Sequence, residues 1–129
     1  MYGSATDAVD KVTARGDNIH LVPQVVTEFW RVATSPASQR GGFGWDPARA
    51  DAEVRALEAL YPIVRDTPDV FDWWRTLVVG ADVRGASVYD TRLAAAMLAH
   101  DWTHILTFNV DDFRRYAPWG IVPIHPSGV

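Results

Sequence analysis

Apolar residues recur along much of the chain at intervals of three and four positions, the spacing that places side chains on one face of an α helix. Between residues 24 and 34 two such stripes lie side by side, one through Val25 and Phe29 and the other through Val26 and Trp30. A helix that is apolar on two adjacent stripes is expected to be largely buried. Similar spacing predicts helices over residues 5–14, 46–60, 67–79 and 90–100, and a single helical turn over residues 112–116.

Three short runs of apolar and β-branched residues interrupt the helical pattern, and each has the length of a strand. They cover residues 19–22, 103–108 and 121–124. Because short strands that alternate with helices are typical of a parallel sheet, the sequence predicts an α/β fold. The chain has 129 residues, so we expect a single domain over residues 1–129.

Glycine and proline mark where several of these elements begin and end. Gly16 follows the first predicted helix and is suited to its C-terminal cap. Asp46-Pro47 combines an N-cap carboxylate with a proline at the first helical position, and Thr67-Pro68 repeats that signal. The glycines at 41, 42 and 44 predict a flexible loop, whose spacing differs from that of a phosphate-binding loop and which has no lysine.

Composition narrows the class of protein. The chain has no cysteine, no apolar run of the length that a membrane helix needs and no signal peptide pattern at its start, so we expect a soluble, cytoplasmic protein. The net charge of −4 argues against a broad basic face for nucleic acid but is compatible with a carboxylate-rich nuclease site. Of the 12 cationic residues 11 are arginine, which either serves phosphate contacts or reflects a GC-rich genome.

Carboxylates and an amide fall just after predicted strands or at the starts of the helices that follow them. Glu28 lies in the helix after the first strand, Asp90 begins a later helix, and Asn109 and Asp112 follow the second strand. Ligands of parallel sheets gather at the carboxyl ends of the strands. Oxygen ligands of this kind suit Mg²⁺ or Mn²⁺, which can activate water against a phosphodiester.

Each of these residues also has a structural interpretation. Glu28 could be buried with an arginine partner, and Asp90 could simply be an N-cap. Asp112 could cap the turn that contains Phe113, and Asp111 fits a solvated surface position. An asparagine such as Asn109 is also ordinary at the end of a strand.

Three ordered segments resemble the PIN-domain ribonucleases of the VapC toxin family. LVPQ at residues 21–24 with EFWRVAT at 28–34 is similar to the segment that carries the family's second acid. VRG at 83–85 with YDTRLAA at 89–95 is similar to the third-acid helix, and HILTFNVDDF at 104–113 to the closing strand and its N-x-x-D-F turn. The glycine-rich loop also fits the family.

The resemblance implies a PIN-like three-layer sandwich, with a short parallel sheet and flanking helices, that cleaves RNA with Mg²⁺ or Mn²⁺. It also implies a homodimer that a cognate antitoxin holds inactive. Glu28, Asp90 and Asp112 would be catalytic and would ligate the metal, with Asn109 as an accessory ligand. The family's first strand, which ends in an aspartate, has no counterpart here, because neither Asp7 nor Asp10 follows a predicted strand.

Two other functions stay open from the sequence. The first is a catalytically inactive PIN-like protein that binds an antitoxin or a sister subunit, which the missing first aspartate would favour. The second is an unrelated α/β binding domain that does not respond to divalent metal. The tryptophans at 30, 73 and 74 exceed what a small core readily hides, so we expect some of them to serve an interface.

Overall fold

The structure, a computed structural model, describes residues 2–39 and 41–129, with side chains described from Thr6 onward. Among these residues the long elements are α1 (Tyr2–Ala14), α2 (Pro23–Thr34), α3 (Pro47–Leu60), α4 (Asp69–Gly80), α5 (Val88–Ala99), β1 (His104–Leu106), α6 (Val110–Phe113) and β2 (Val122–Ile124). Three short 3-10 helices, Gly85–Ser87, Arg114–Trp119 and Pro126–Gly128, lie between or after them. The fold is thus mixed α/β and mostly helical.

The five longer helices predicted from periodicity are confirmed, whereas the turn predicted over 112–116 spans the end of α6 and the start of a 3-10 helix. Several helix ends follow the residue chemistry. Asp46 caps α3, because its side chain accepts a hydrogen bond from the Arg49 backbone N–H at 2.9 Å, and Pro47 opens the helix. Gly16 follows α1 with φ of +86°, a left-handed conformation that glycine adopts without a steric penalty. The Thr67-Pro68 start signal lies slightly before the observed helix, since α4 begins at Asp69 and no side chain caps it.

The sheet is smaller than predicted. It contains β1 and β2, paired in parallel with His104 opposite Val122 and Leu106 opposite Ile124. The predicted run 103–108 therefore yields only three strand residues. Thr107 still donates its N–H to Ile124 O at 2.9 Å, after which the chain turns away at Asn109.

The prediction of a strand over residues 19–22 is wrong in extent. Only Leu21 forms a β-bridge, in parallel with Ile63, through Leu21 N–H to Pro62 O at 3.2 Å and Val64 N–H to Leu21 O at 2.8 Å. The pairing does not grow because Pro62 has no N–H to donate and α2 begins at Pro23. The expected three-stranded sheet is thus a two-stranded sheet and an isolated bridge among the described residues.

The chain divides into two compact units, a larger one of Met1–Asn18 with Asp66–Val129 and a smaller one of Ile19–Arg65. In the larger unit α4 packs along α5, and the buried residues include Leu77, Thr91, Met97 and Tyr116. In the smaller unit α2 contacts α3, and Val22, Ala33, Ala50 and Val54 are buried. The single domain over 1–129 stays a prediction.

Burial of the helices differs from expectation at several apolar positions. Among the residues of α2 only Ala33 is buried, while Phe29 and Trp30 are half-buried, so the prediction of a largely buried α2 is wrong. On α4, Trp73 is exposed, whereas Trp74 is half-buried and donates its indole N–H to Val88 O at 3.0 Å. Among the helices that the structure describes, none has the length and apolar character that crossing a membrane requires.

Candidate functional site

An open cleft of about 570 Å³ lies in the larger unit at the carboxyl ends of the two paired strands. Its walls come from the segment that follows β1 and from the end of β2. This is the edge at which parallel sheets bind their ligands, because the chain leaves both strands there and its turns surround a common space. The cleft is lined by Phe108, Asn109, Val110, Asp111, Asp112, Arg114, Pro123 and His125.

A tight turn brings Asn109 and Asp112 together in this cleft. Thr107 Oγ1 accepts the Asn109 backbone N–H at 3.0 Å, which fixes the exit from β1. Asn109 then takes the N-cap position of α6 without a side-chain cap bond, and its carbonyl accepts the Asp112 N–H at 3.1 Å. The interpretation of Asp112 as a cap is therefore wrong: it lies inside the short helix, one turn after Asn109, and is exposed.

Asp90 is held by the buried part of α5. The helix begins at Val88, directly after the 3-10 helix Gly85–Ser87, so Asp90 lies in the first helical turn and the N-cap position belongs to Ser87. The interpretation of Asp90 as an N-cap is wrong for this reason. Asp90 is half-buried, and the next residue, Thr91, is fully buried.

Thr91 and Tyr116 form a buried hydrogen-bonded pair in the larger unit. Their hydroxyl oxygens lie 2.6 Å apart, although the residues are 25 positions apart in the chain, and both side chains are fully buried. Thr91 Oγ1 also donates to Ser87 O at 3.0 Å, so its only hydrogen is used there. Tyr116 is therefore the donor to Thr91, and the pair ties the start of α5 to the segment that follows Asp112.

The electrostatics around Tyr116 relate Asp90 to Asp112. Burial is the largest cause that raises the pKa of the Tyr116 hydroxyl above 10.0, and the hydrogen bond with Thr91 and the charge of Arg115 oppose it. The negative charges of Asp90 and Asp112 both raise this pKa further. Two carboxylates from different helices thus act on the same buried hydroxyl.

Glu28 belongs to the smaller unit and differs from the other three residues in its surroundings. It is exposed on α2, and its Oε1 accepts a hydrogen bond at 3.2 Å from the Gln24 amide, four positions earlier on the helix. The interpretation of Glu28 as a buried, arginine-paired carboxylate is wrong, because its side chain points to solvent. Asn109, Asp112 and Asp90 are all in the larger unit.

No group of three or more His, Cys, Asp or Glu side chains within residues 2–39 and 41–129 is arranged to hold a metal ion. Mg²⁺, however, usually keeps several waters and binds proteins through one or two carboxylates. Of the larger unit's residues named from the sequence, Asn109 and Asp112 line the cleft, whereas Asp90 does not.

Sequence reasoning missed two residues of the cleft, Arg114 and His125. Arg114 forms an ion pair with Asp111, its Nη1 2.7 Å from Oδ1, and both side chains are largely exposed. His125 is the first residue after β2, and Asn109 lies shortly after the end of β1. The rule that ligands gather at strand ends applies to both strands, so the position of His125 after the last predicted strand was the available signal.

Comparison with models of protein families finds no match to this chain, and comparison with curated proteins finds no significant one.

Proposed function

We propose that the protein is a metal-dependent endoribonuclease that hydrolyses RNA phosphodiester bonds, as the toxin of a toxin–antitoxin pair. The observation that supports it most is that Asn109 and Asp112 line a cleft at the carboxyl ends of two parallel strands, the edge at which such sheets bind ligands. The resemblance of three segments to PIN-domain toxins supports the reaction class. In this proposal the protein works in the cytoplasm, where its substrate is.

Mg²⁺ or Mn²⁺ would supply an activated water and would stabilise the charge that develops on the phosphate. Asp90 and Asp112 would hold the ion through carboxylate oxygens, with Asn109 as the accessory. The buried Thr91–Tyr116 hydrogen bond would keep the two acids of the larger unit in place. The open shape of the cleft suits a polymeric substrate, which extends beyond the site on both sides.

A cognate antitoxin and a second copy of the chain are the proposed protein partners. They are supported by apolar side chains that α4 leaves in solvent: Phe71 is 59% exposed, Trp73 36% and Val79 82%. Tryptophan in particular is enriched at the centres of protein interfaces.

The second candidate function is a PIN-like protein without catalysis that binds an antitoxin or a sister subunit. It is favoured by the finding that the described residues contain no group of three metal-binding side chains. The nuclease would need divalent metal and the Asp90 carboxylate for its activity, whereas the binding protein would need neither.

RNA cleavage with added Mg²⁺ or Mn²⁺ tests the proposal. Asp90→Asn keeps the size of the side chain but removes its charge, and we expect the cleavage rate to fall on the order of a hundredfold or more. Chelation of the metal should have a similar effect, and Mn²⁺ should raise the melting temperature of the unmutated chain but raise that of the variant less.

Asp101→Asn is the matched control. Asp101 follows the other end of α5 with φ of +59°, a conformation that asparagine also tolerates, so this variant should fold and cleave like the unmutated chain. Cleavage that is insensitive to metal, or equal in the Asp90 and Asp101 variants, would contradict the proposal. Absent cleavage with retained partner binding would favour the second function.

A further inference from the structure

The imidazole of His125 is fixed at the wall of the cleft by contacts on two sides. Its Nδ1 accepts the Ser127 backbone N–H at 3.1 Å and lies 2.7 Å from the Ser127 hydroxyl oxygen. Phe108 meets the ring edge-to-face at a centroid distance of 5.4 Å. The 3-10 helix that His125 caps is in turn contacted by α1. The ring is therefore oriented before any ligand binds.

These contacts decide which ring nitrogen can serve a ligand. Since Nδ1 accepts a backbone N–H, it carries no hydrogen in the neutral ring, and the hydrogen must be on Nε2. His125 then brings an Nε2–H donor to a cleft whose other lining residues include the carboxylates Asp111 and Asp112. A donor in this position suits a ligand that brings acceptor oxygens.

The charges of the cleft indicate which acceptor group that is. The Asp111 carboxylate is paired with Arg114, and a guanidinium has five N–H donors, so Arg114 retains donors for a second anion. A phosphate oxygen is an anionic acceptor that both groups can bind. The remaining negative charge, on Asp112, opposes such binding unless a divalent cation is present.

We propose that His125 donates a hydrogen bond from Nε2 to a phosphate oxygen of an RNA strand bound in the cleft. This inference rests on the proposed function for the identity of the strand and for the cation. It assigns His125 to substrate binding, with Ser127 as the residue that orients the ring. Arg114 lines the same cleft and supplies positive charge there.

The test measures binding of a short, fluorescein-labelled, single-stranded RNA of mixed sequence by fluorescence anisotropy. Ca²⁺ replaces Mg²⁺ and Mn²⁺ in this assay, because it also binds oxygen ligands. Gel analysis verifies that the RNA stays intact during the measurement. His125→Asn keeps an acceptor for the Ser127 N–H but has no atom at the Nε2 position, whereas His125→Gln places an amide donor there. We expect the Asn variant to bind RNA about tenfold more weakly and the Gln variant to stay within about twofold of the unmutated chain.

His104→Asn is the control, because His104 is also exposed and its Nδ1 also lies near a hydroxyl, Thr103 Oγ1 at 2.6 Å. It occupies the first residue of β1, at the opposite end of the strand from the cleft, and its variant should bind RNA normally. Equal thermal melts of the variants would exclude unfolding as the cause of weaker binding.

The outcomes separate this inference from the proposed function. Normal binding by the Asn variant, or equal losses in the Asn and Gln variants, would overturn the inference while cleavage by the unmutated chain could still stand. Binding that depends on His125 without any cleavage would support the inference and reject the nuclease. No RNA binding by the unmutated chain would overturn both.

Discussion

Helices α2 and α5 present the same motif, an acid in an apolar helix, but place that acid in different environments. Glu28 on α2 is exposed, and its side chain accepts a local hydrogen bond from Gln24. Asp90 on α5 is half-buried beside Thr91, which is hydrogen-bonded to Tyr116. The neighbouring elements cause the difference: α4 packs along α5, whereas α2 contacts the alanine-rich α3 less extensively.

The comparison teaches that an acid in an apolar helix does not become a site residue by its sequence alone. Asp90 adjoins Thr91, whose buried hydroxyl is hydrogen-bonded to Tyr116, so a change in that pair is expected to reach it. Glu28 depends on its own helix. Stability measurements on variants of the two helices can therefore test this difference.

The largest expected effect comes from loss of a buried side chain on α5. Met97 is 4% exposed, and we expect Met97→Ala to lower the free energy of unfolding by about 3 kcal/mol, because it leaves a cavity. The matched change on α2, Val25→Ala at a half-buried position, should cost about 1 kcal/mol. Urea unfolding followed by circular dichroism measures both. Equal losses of unfolding free energy in the two variants would contradict the difference between the helices.

A smaller effect is expected from the Thr91–Tyr116 hydrogen bond. Tyr116→Phe removes the donor but keeps the ring, so the free energy of unfolding should fall by about 1 kcal/mol. Because Thr91→Val removes the same contact, the double variant should lose less than the sum of the two single variants.

Two control variants accompany this double-mutant cycle of Thr91 and Tyr116. Thr91→Ser keeps the hydroxyl and should retain the coupling with Tyr116. Gln24→Ala on exposed α2 removes the bond to Glu28 and should cost only about 0.3 kcal/mol. Additive losses in the Thr91–Tyr116 cycle would show that the two hydroxyls do not stabilise each other.

The smallest effect is a change in the alkaline pH dependence of stability. Burial raises the pKa of Tyr116 in the folded chain above the usual 10.0, so the unfolded chain loses this proton first as the pH rises. The contribution of Tyr116 is therefore complete below pH 10.0 and is lost as the pH rises from there through the folded pKa. Unfolding measured on either side of that pH should show a shallower decline for Tyr116→Phe, and an unchanged slope would contradict the burial of this hydroxyl.

Much of the fold was predictable where the signal lay within a few residues. Asp46 and Pro47 begin α3 because a capping carboxylate and a preset φ act on the first turn itself. The strands were less predictable, since a strand exists only where a partner pairs with it. The run at 19–22 has the composition of a strand, but Pro62 opposite it cannot donate.

The candidate site was likewise predictable only where the signal was local. The placement of Asn109 and Asp112 after β1 followed from the sequence, because the turn that joins them is local. His125 escaped prediction, since its role depends on β2 lying beside β1 in parallel. The N-cap assigned to Asp90 was wrong because the preceding 3-10 helix leads directly into α5 and moves its start to Val88.

The sequence by itself thus determined the positions of the helices, the mixed α/β class and the acids that follow the second predicted strand. These depend on periodicity, caps and turns, whose interactions span about four residues. The tertiary structure alone decided that Thr91 meets Tyr116, that His125 lines the cleft and that Glu28 faces solvent. Pairing across many residues and the burial of a side chain depend on which surfaces pack together, and no local pattern specifies that choice.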